Sequence, residues 1–128
     1  MTNKIAVQTE NAPMPIGAYS QAIKIGKNIY LSGQIPLDPK RGILVEGSTE
    51  NQVKQIFVNL AAVAKAAGGD LKNLVKLTIF LQDLNDFPAI NTVMKDYLKP
   101  PYPARSTIGV ASLPMGAKVE IEAIMVLD

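Results

Sequence analysis

The stretch PYPARSTIGVASLPMGAKVEIEAIMV, residues 101–126, decides how the chain is read. It holds two β-like runs, Arg105 to Val110 and Lys118 to Leu127, joined by Ser112 to Ala117. In the second run Val119, Ile121, Ala123, Met125 and Leu127 fall on one face, because side chains alternate along a strand. Glu120, Glu122, Ile124 and Val126 fall on the other. The first set suits a layer of helices. Ile124 and Val126 also need cover, and no remaining element supplies it. A second copy of the chain would, which predicts an oligomer and sets Glu120 beside an interface. Arg105 is one of only two arginines, and Glu120 follows it by fifteen residues. As an antiparallel pair the two runs would bring both charges onto neighbouring strands, in a register that sequence leaves open.

Working outward from that block, the chain reads as one domain over residues 1–128. Lys4 to Gln8 is a short first strand, and Asn11 to Gly17, with Pro13 and Pro15, is a loop. Gln21 to Ile25 and Asn28 to Ser32 flank Gly26-Lys27, a hairpin signal. Gly33 to Gly42 is a second loop. Ser48 and Thr49 offer helix caps, and Thr49-x-x-Gln52 resembles a capping box. Val53, Ile56, Phe57, Leu60, Val63 and Ala67 then recur at helical spacing until Gly68-Gly69 ends the helix. Val75 to Leu81 is a strand. Asp86 caps a second helix with Pro88 in its first turn and an apolar stripe of Ile90, Val93, Met94, Tyr97 and Leu98. Pro100, Pro101 and Pro103 stop it. The order β-β-β-α-β-α-β-β predicts an α+β fold, a mostly antiparallel sheet with both helices on one face.

Composition removes several classes of chemistry. The sequence contains no histidine and no cysteine. That excludes thiol nucleophiles, histidine general bases, disulfides and thiolate zinc sites. The carboxylates show no metal-ligand spacing. No P-loop or G-x-G-x-x-G is present. The net charge of +2 comes from scattered lysines with no basic run, so nucleic acid is not an expected partner. Met1 to Glu10 has no apolar leader core, and no stretch has the length of a membrane span. The expectation is a soluble cytoplasmic protein with no membrane partner.

Arg105 and Glu120 are the first candidates for chemistry. Their plain structural reading is an edge-strand ion pair, worth little if exposed. Their functional reading is a site for a small carboxylate attacked by water. The arginine fork matches a carboxylate through two charge-assisted hydrogen bonds. A partly desolvated glutamate holds or activates water. Tyr19, Ser32 with Gly33, and Asn91 are weaker candidates: an amphipathic tyrosine, turn chemistry and a solvated amide explain them as well.

The ordered set of motifs resembles the reactive-intermediate deaminase A family, also called YjgF or Rid. It comprises Pro103-Ala104-Arg105-Ser106, Leu113-Pro114 and Val119-Glu120-Ile121-Glu122-Ala123. Before these come Asn11-Ala12-Pro13, Tyr19-Ser20-Gln21-Ala22, Leu31-Ser32-Gly33-Gln34 and Asp86-Phe87 with Asn91. The resemblance implies a chorismate-mutase-like fold and a homotrimer with clefts between subunits. It implies hydrolysis of 2-iminobutanoate and 2-iminopropanoate to 2-oxo acids and ammonia, without cofactor or metal. By position, Arg105 would clamp the substrate carboxylate and Glu120 would position water and move protons. Tyr19, Ser32, Gly33, Asn91 and Thr107 would bind substrate. Many relatives have cysteine where this chain has Thr107, and the family's contact there runs largely through the backbone. Two other readings belong to the same resemblance: a non-catalytic module that senses small carboxylates, and an RNA-cleaving inhibitor of translation. The missing histidine, stacking platform and basic stripe argue against the last.

Overall fold

A computed structural model describes residues 3–128. Residues 1 and 2, the start of the segment read for a leader, lie outside the described residues. The strands are β1 (Ile5–Val7), β2 (Ala22–Ile25), β3 (Asn28–Gln34), β4 (Leu74–Leu81), β5 (Ala104–Gly109) and β6 (Val119–Val126). The helices are α1 (Thr49–Ala66) and α2 (Phe87–Tyr97). One sheet contains all six strands in the order β1-β2-β3-β6-β4-β5.

The two helices lie on the sheet face predicted for them. Val53, Ile56, Phe57, Leu60 and Val63 of α1 are fully buried, as are Ile90 and Val93 of α2. They meet Ile29, Leu77, Ile79, Leu81, Val119, Ile121 and Met125 of the sheet in one core. The Phe57 and Tyr97 rings stack across the two helices, 5.6 Å between centroids. α1 ends as Gly68-Gly69 predicts. Gly68 takes φ 101°. The Gly68 and Gly69 N–H groups donate back to Lys65 O and Ala64 O, a Schellman closure.

Two local expectations need correcting. Ser48, not Thr49, caps α1, its hydroxyl accepting from Asn51 N at 3.2 Å. Gln52 therefore closes no box. Its amide donates to Val45 O and accepts from Lys118 N, tying α1 to the start of β6. Asp86 stands at the cap position of α2 without a side-chain cap bond. Asp83 caps the short turn before it, accepting from Asn85 N at 2.9 Å.

The larger correction concerns β5 and β6, which are not neighbours. β5 pairs in parallel with β4, and β6 lies antiparallel between β3 and β4. The cause is the β4–α2–β5 crossover, which returns the chain to the same sheet in the same direction. β6 then fills the centre, where alternate residues Val119, Ile121 and Met125 meet the core.

The second sheet face has no covering layer, as the alternation along β6 predicts. Tyr30 sits opposite Ile124, and Phe80 opposite Glu120 and Ile108. Tyr30, Ile108 and Val126 are exposed there. Among the described residues no helix is long and apolar enough to cross a membrane.

Candidate functional site

Glu120 sits on the open face at the start of β6 and leans over Gly33 of β3. A Cβ built on Gly33 would stand 2.5 Å from Glu120 Oε2 and 3.0 Å from its Cδ. Only glycine leaves the carboxylate that room. Gly33 also falls within the shift of register between Leu31 and Gln34, where a bulge turns the strand. Burial, and to a lesser degree the nearby Glu122 carboxylate, pushes the Glu120 pKa up. A cleft of about 620 Å³ lies over this carboxylate, lined by Tyr19, Ser32, Gly33, Glu120 and Glu122 among others. The Ser32 hydroxyl donates to Ser20 O at 2.6 Å. Its oxygen keeps acceptor capacity for a second group. The Tyr19 hydroxyl accepts a long bond, 3.4 Å, from Ile16 N.

Arg105 belongs to a second, separate constellation at the β5 edge. Its register partner is Leu77, so it points to the helix face. Arg105 Nη1 donates to Asn91 Oδ1 at 2.7 Å and lies 3.2 Å from Met94 Sδ. The guanidinium carbon stands 4.8 Å from the centroid of the Phe87 ring. A cavity of about 270 Å³ opens beside it, lined by Asn91, Met94, Lys95, Tyr102 and Pro103. The sole ion pair among the described residues is Arg41–Asp38, at 3.5 Å. Arg105 is thus a half-buried cation without a carboxylate partner, and most of its N–H fork is free. Thr107 shares its face, and the Thr107 hydroxyl is buried with no hydrogen-bond partner.

The expected pairing of Arg105 with Glu120 on adjacent strands does not occur. β4 lies between them, and their register partners on it, Leu77 and Phe80, are three residues apart. Two strand spacings and three residues of rise put the Cα atoms about 14 Å apart. The side chains also leave opposite faces of the sheet. Within one protomer, Arg105 groups with Asn91 and Thr107, while Glu120 groups with Tyr19, Ser32 and Gly33.

Sequence reading named Asn91 and quoted Phe87 and Gln21 within the family motifs, but it missed how Phe87, Met94 and Gln21 set these groups in place. Phe87, Asn91 and Met94 follow at i, i+4 and i+7 of α2, so one helical face carries the ring, amide and thioether that meet the Arg105 guanidinium. That spacing was available, but Phe87 and Met94 also fit an ordinary apolar stripe. Gln21 is buried and fastens the loop that carries Tyr19. It accepts from Thr9 N and donates to Thr9 O, Ala12 O and Pro13 O. Among the described residues no three acidic side chains gather to hold a metal ion.

A family model described as Endoribonuclease L-PSP matches residues 9–127. The chain belongs to that family. A 2-iminobutanoate/2-iminopropanoate deaminase of Dermatophagoides farinae is 47% identical over 128 residues, which is 100% of both chains. The crystal structure of RidA from an Antarctic Psychrobacter superposes with a TM-score of 0.93 at 45% identity, covering 96% of this chain and 99% of that one. Escherichia coli TdcF with bound serine superposes at 0.90 and 37% identity, covering 97% and 99%. The L-PSP fold of this chain is therefore shared along nearly its whole length with a protein that holds a small amino acid.

Proposed function

We propose that this L-PSP family member is a 2-iminobutanoate/2-iminopropanoate deaminase acting in the cytoplasm, with each site completed between copies of the chain. The observation that carries the reading is Arg105, a half-buried guanidinium over Phe87 with no carboxylate of its own. Such a fork fits the carboxylate of a small acid. Full-length likeness to curated deaminases supplies the reaction.

The geometry of one protomer separates the two halves, so Arg105, Asn91 and Thr107 of one copy would face Tyr19, Ser32, Gly33 and Glu120 of another. The uncovered apolar sheet face supports that assembly, and a homotrimer is the form expected of it. β5 is an edge strand, so main-chain groups beside Arg105 and Thr107 point outward and are available to a ligand.

In this arrangement Arg105 holds the substrate carboxylate and aims the C=N carbon at a water on Glu120. The water oxygen adds to that carbon, and its proton passes to the Glu120 carboxylate. Glu120 returns the proton to the nitrogen of the tetrahedral adduct. That adduct is a carbinolamine; Glu120 takes its hydroxyl proton as the C–O bond becomes C=O and passes that proton to the nitrogen, so the C–N bond breaks, ammonia leaves, and the 2-oxo acid remains. Burial raises the Glu120 pKa, which makes the carboxylate a stronger proton acceptor than an exposed glutamate. The imine is already electrophilic, so orientation and proton transfer suffice.

The test couples the purified protein to a threonine dehydratase that releases the imine. Faster appearance of 2-oxobutanoate and ammonia than in the enzyme-free control is expected. A rate equal to that control, with saturable 2-oxobutanoate binding, would leave a carboxylate-sensing module instead.

A further inference from the structure

β6 carries a second carboxylate that the reaction described above leaves idle. Glu120 and Glu122 stand two residues apart on one strand, so both leave the open face of the sheet. Two residues of rise set their Cα atoms about 7 Å apart, whatever the assembly. Glu120 is half-buried, and Glu122 is exposed in the single protomer. Their partners on β4 are Phe80 and Thr78, neither of them charged. The close approach to Gly33 holds the Glu120 carboxylate over β3.

Among the described residues neither carboxylate forms an ion pair. Lys118 precedes Glu120 by two residues, but its amine donates to Gly47 O at 3.4 Å. Lys76 of β4 sits opposite Ile124, diagonal to Glu122, and its amine donates to Ser106 Oγ at 3.4 Å. β3 presents Ser32 and Gly33 to Glu120, with Tyr30 farther along opposite Ile124. The loop at Tyr19 adds a phenol, and the Pro114–Gly116 turn adds no charge. In the assembly proposed above a second copy brings Arg105, whose fork the substrate carboxylate occupies. Covering the sheet face also expels water from around the two acids, which strengthens their repulsion. Burial first, and the Glu122 carboxylate second, push the Glu120 pKa up.

We propose that Glu122 is a positioning residue for proton transfer: it acts through Glu120, making that carboxylate the stronger acceptor of the water proton. This rests on the deaminase reading above. The bonds made and broken are those already described, and Glu122 exchanges no proton with the substrate. A like charge two residues away favours the protonated form of Glu120, the form reached as water adds to the C=N carbon. A glutamate kept at position 122 only for its affinity for water would leave the chemistry of Glu120 unchanged. Glutamine there keeps the shape of the side chain and removes the charge.

The test compares the wild type with Glu122→Gln and Glu122→Asp, each at the same oligomeric mass. The Glu120 carboxylate is titrated by carbon-13 NMR of glutamate-labelled protein, its signal assigned by its loss in Glu120→Gln. The pH profile of kcat/KM is measured by dehydratase-coupled hydrolysis above the enzyme-free rate. In Glu122→Gln the Glu120 midpoint should move to lower pH. Its kcat/KM should be about twofold above wild type on the acid limb and about twofold below it on the plateau, so the two profiles cross. Glu122→Asp keeps the charge and should follow the wild type. An unmoved midpoint, rates lowered equally at every pH, or an aspartate variant that behaves as the glutamine one overturns the proposal. A midpoint that rises also overturns it and assigns Glu122 to a cation of the neighbouring copy. If no imine is hydrolysed but the midpoint falls, the deaminase reading fails and the coupling of the two acids stands. If imines are hydrolysed and the midpoint is unmoved, the reverse holds.

Discussion

Mixing two inactive variants should restore activity. Arg105 and Glu120 of one protomer are about 14 Å apart and on opposite sheet faces, from the register on β4. A site that uses both must draw them from different copies. Arg105→Ala removes two charge-assisted bonds worth about 1.5–3 kcal/mol each, so kcat/KM should fall about 10²–10⁴-fold. Its structural cost is small, since Arg105 has one strong partner in the protomer, Asn91. Glu120→Gln keeps the shape of the side chain but loses proton transfer, worth about 10²–10⁴-fold. In a scrambled equimolar pool, a site works only when the intact arginine and the intact glutamate meet. That happens at about one site in four in any closed symmetric ring, whatever its number of subunits. The assay is imine hydrolysis before and after subunit exchange, with native mass spectrometry to verify mixed oligomers. Recovery to about one quarter of wild-type activity is expected on this symmetry argument. Mixed oligomers without any recovery would refute the split site.

Three further outcomes follow from single contacts. Gly33→Ala would bring a methyl to 2.5 Å from Glu120 Oε2, so the carboxylate must move. A shift near 1 Å costs about 10²-fold in kcat, measured by steady-state hydrolysis with circular dichroism unchanged. Burial raises the Glu120 pKa, so its ionisation opposes folding: stability is full below the ordinary glutamate value of about 4.3 and declines as pH rises through the folded value. Glu120→Gln should therefore raise the melting temperature at neutral pH, and the gain should vanish near pH 4, in a thermal series across pH. Thr107→Val replaces an unpaired buried hydroxyl with a methyl. Chemical denaturation should show a gain of about 1 kcal/mol. Activity should stay within about twofold, a change too small to signal a lost hydrogen bond.

Much of the architecture was legible in local patterns. The stripe from Val53 to Val63 and the glycines at 68 and 69 specify α1 because helix periodicity and left-handed caps are short-range properties. The alternation of β6 exposed both the helix face and the uncovered face. What stayed hidden was strand order. Nothing local distinguishes a β6 that pairs with its chain neighbour β5 from one inserted between β3 and β4. That choice depends on where the α2 crossover returns the chain.

The candidate site divides along the same line. Sequence alone narrowed the candidates for the chemistry, since a chain without histidine or cysteine leaves few groups able to hold a carboxylate and move a proton. The order of its motifs also named the family. Only the tertiary structure decided how those residues are grouped: Arg105 with Asn91 over Phe87, and Glu120 with Gly33 on the reverse of the sheet. The physical reason is that identity and periodicity are written residue by residue, whereas register and strand order are set by the packing of the whole chain.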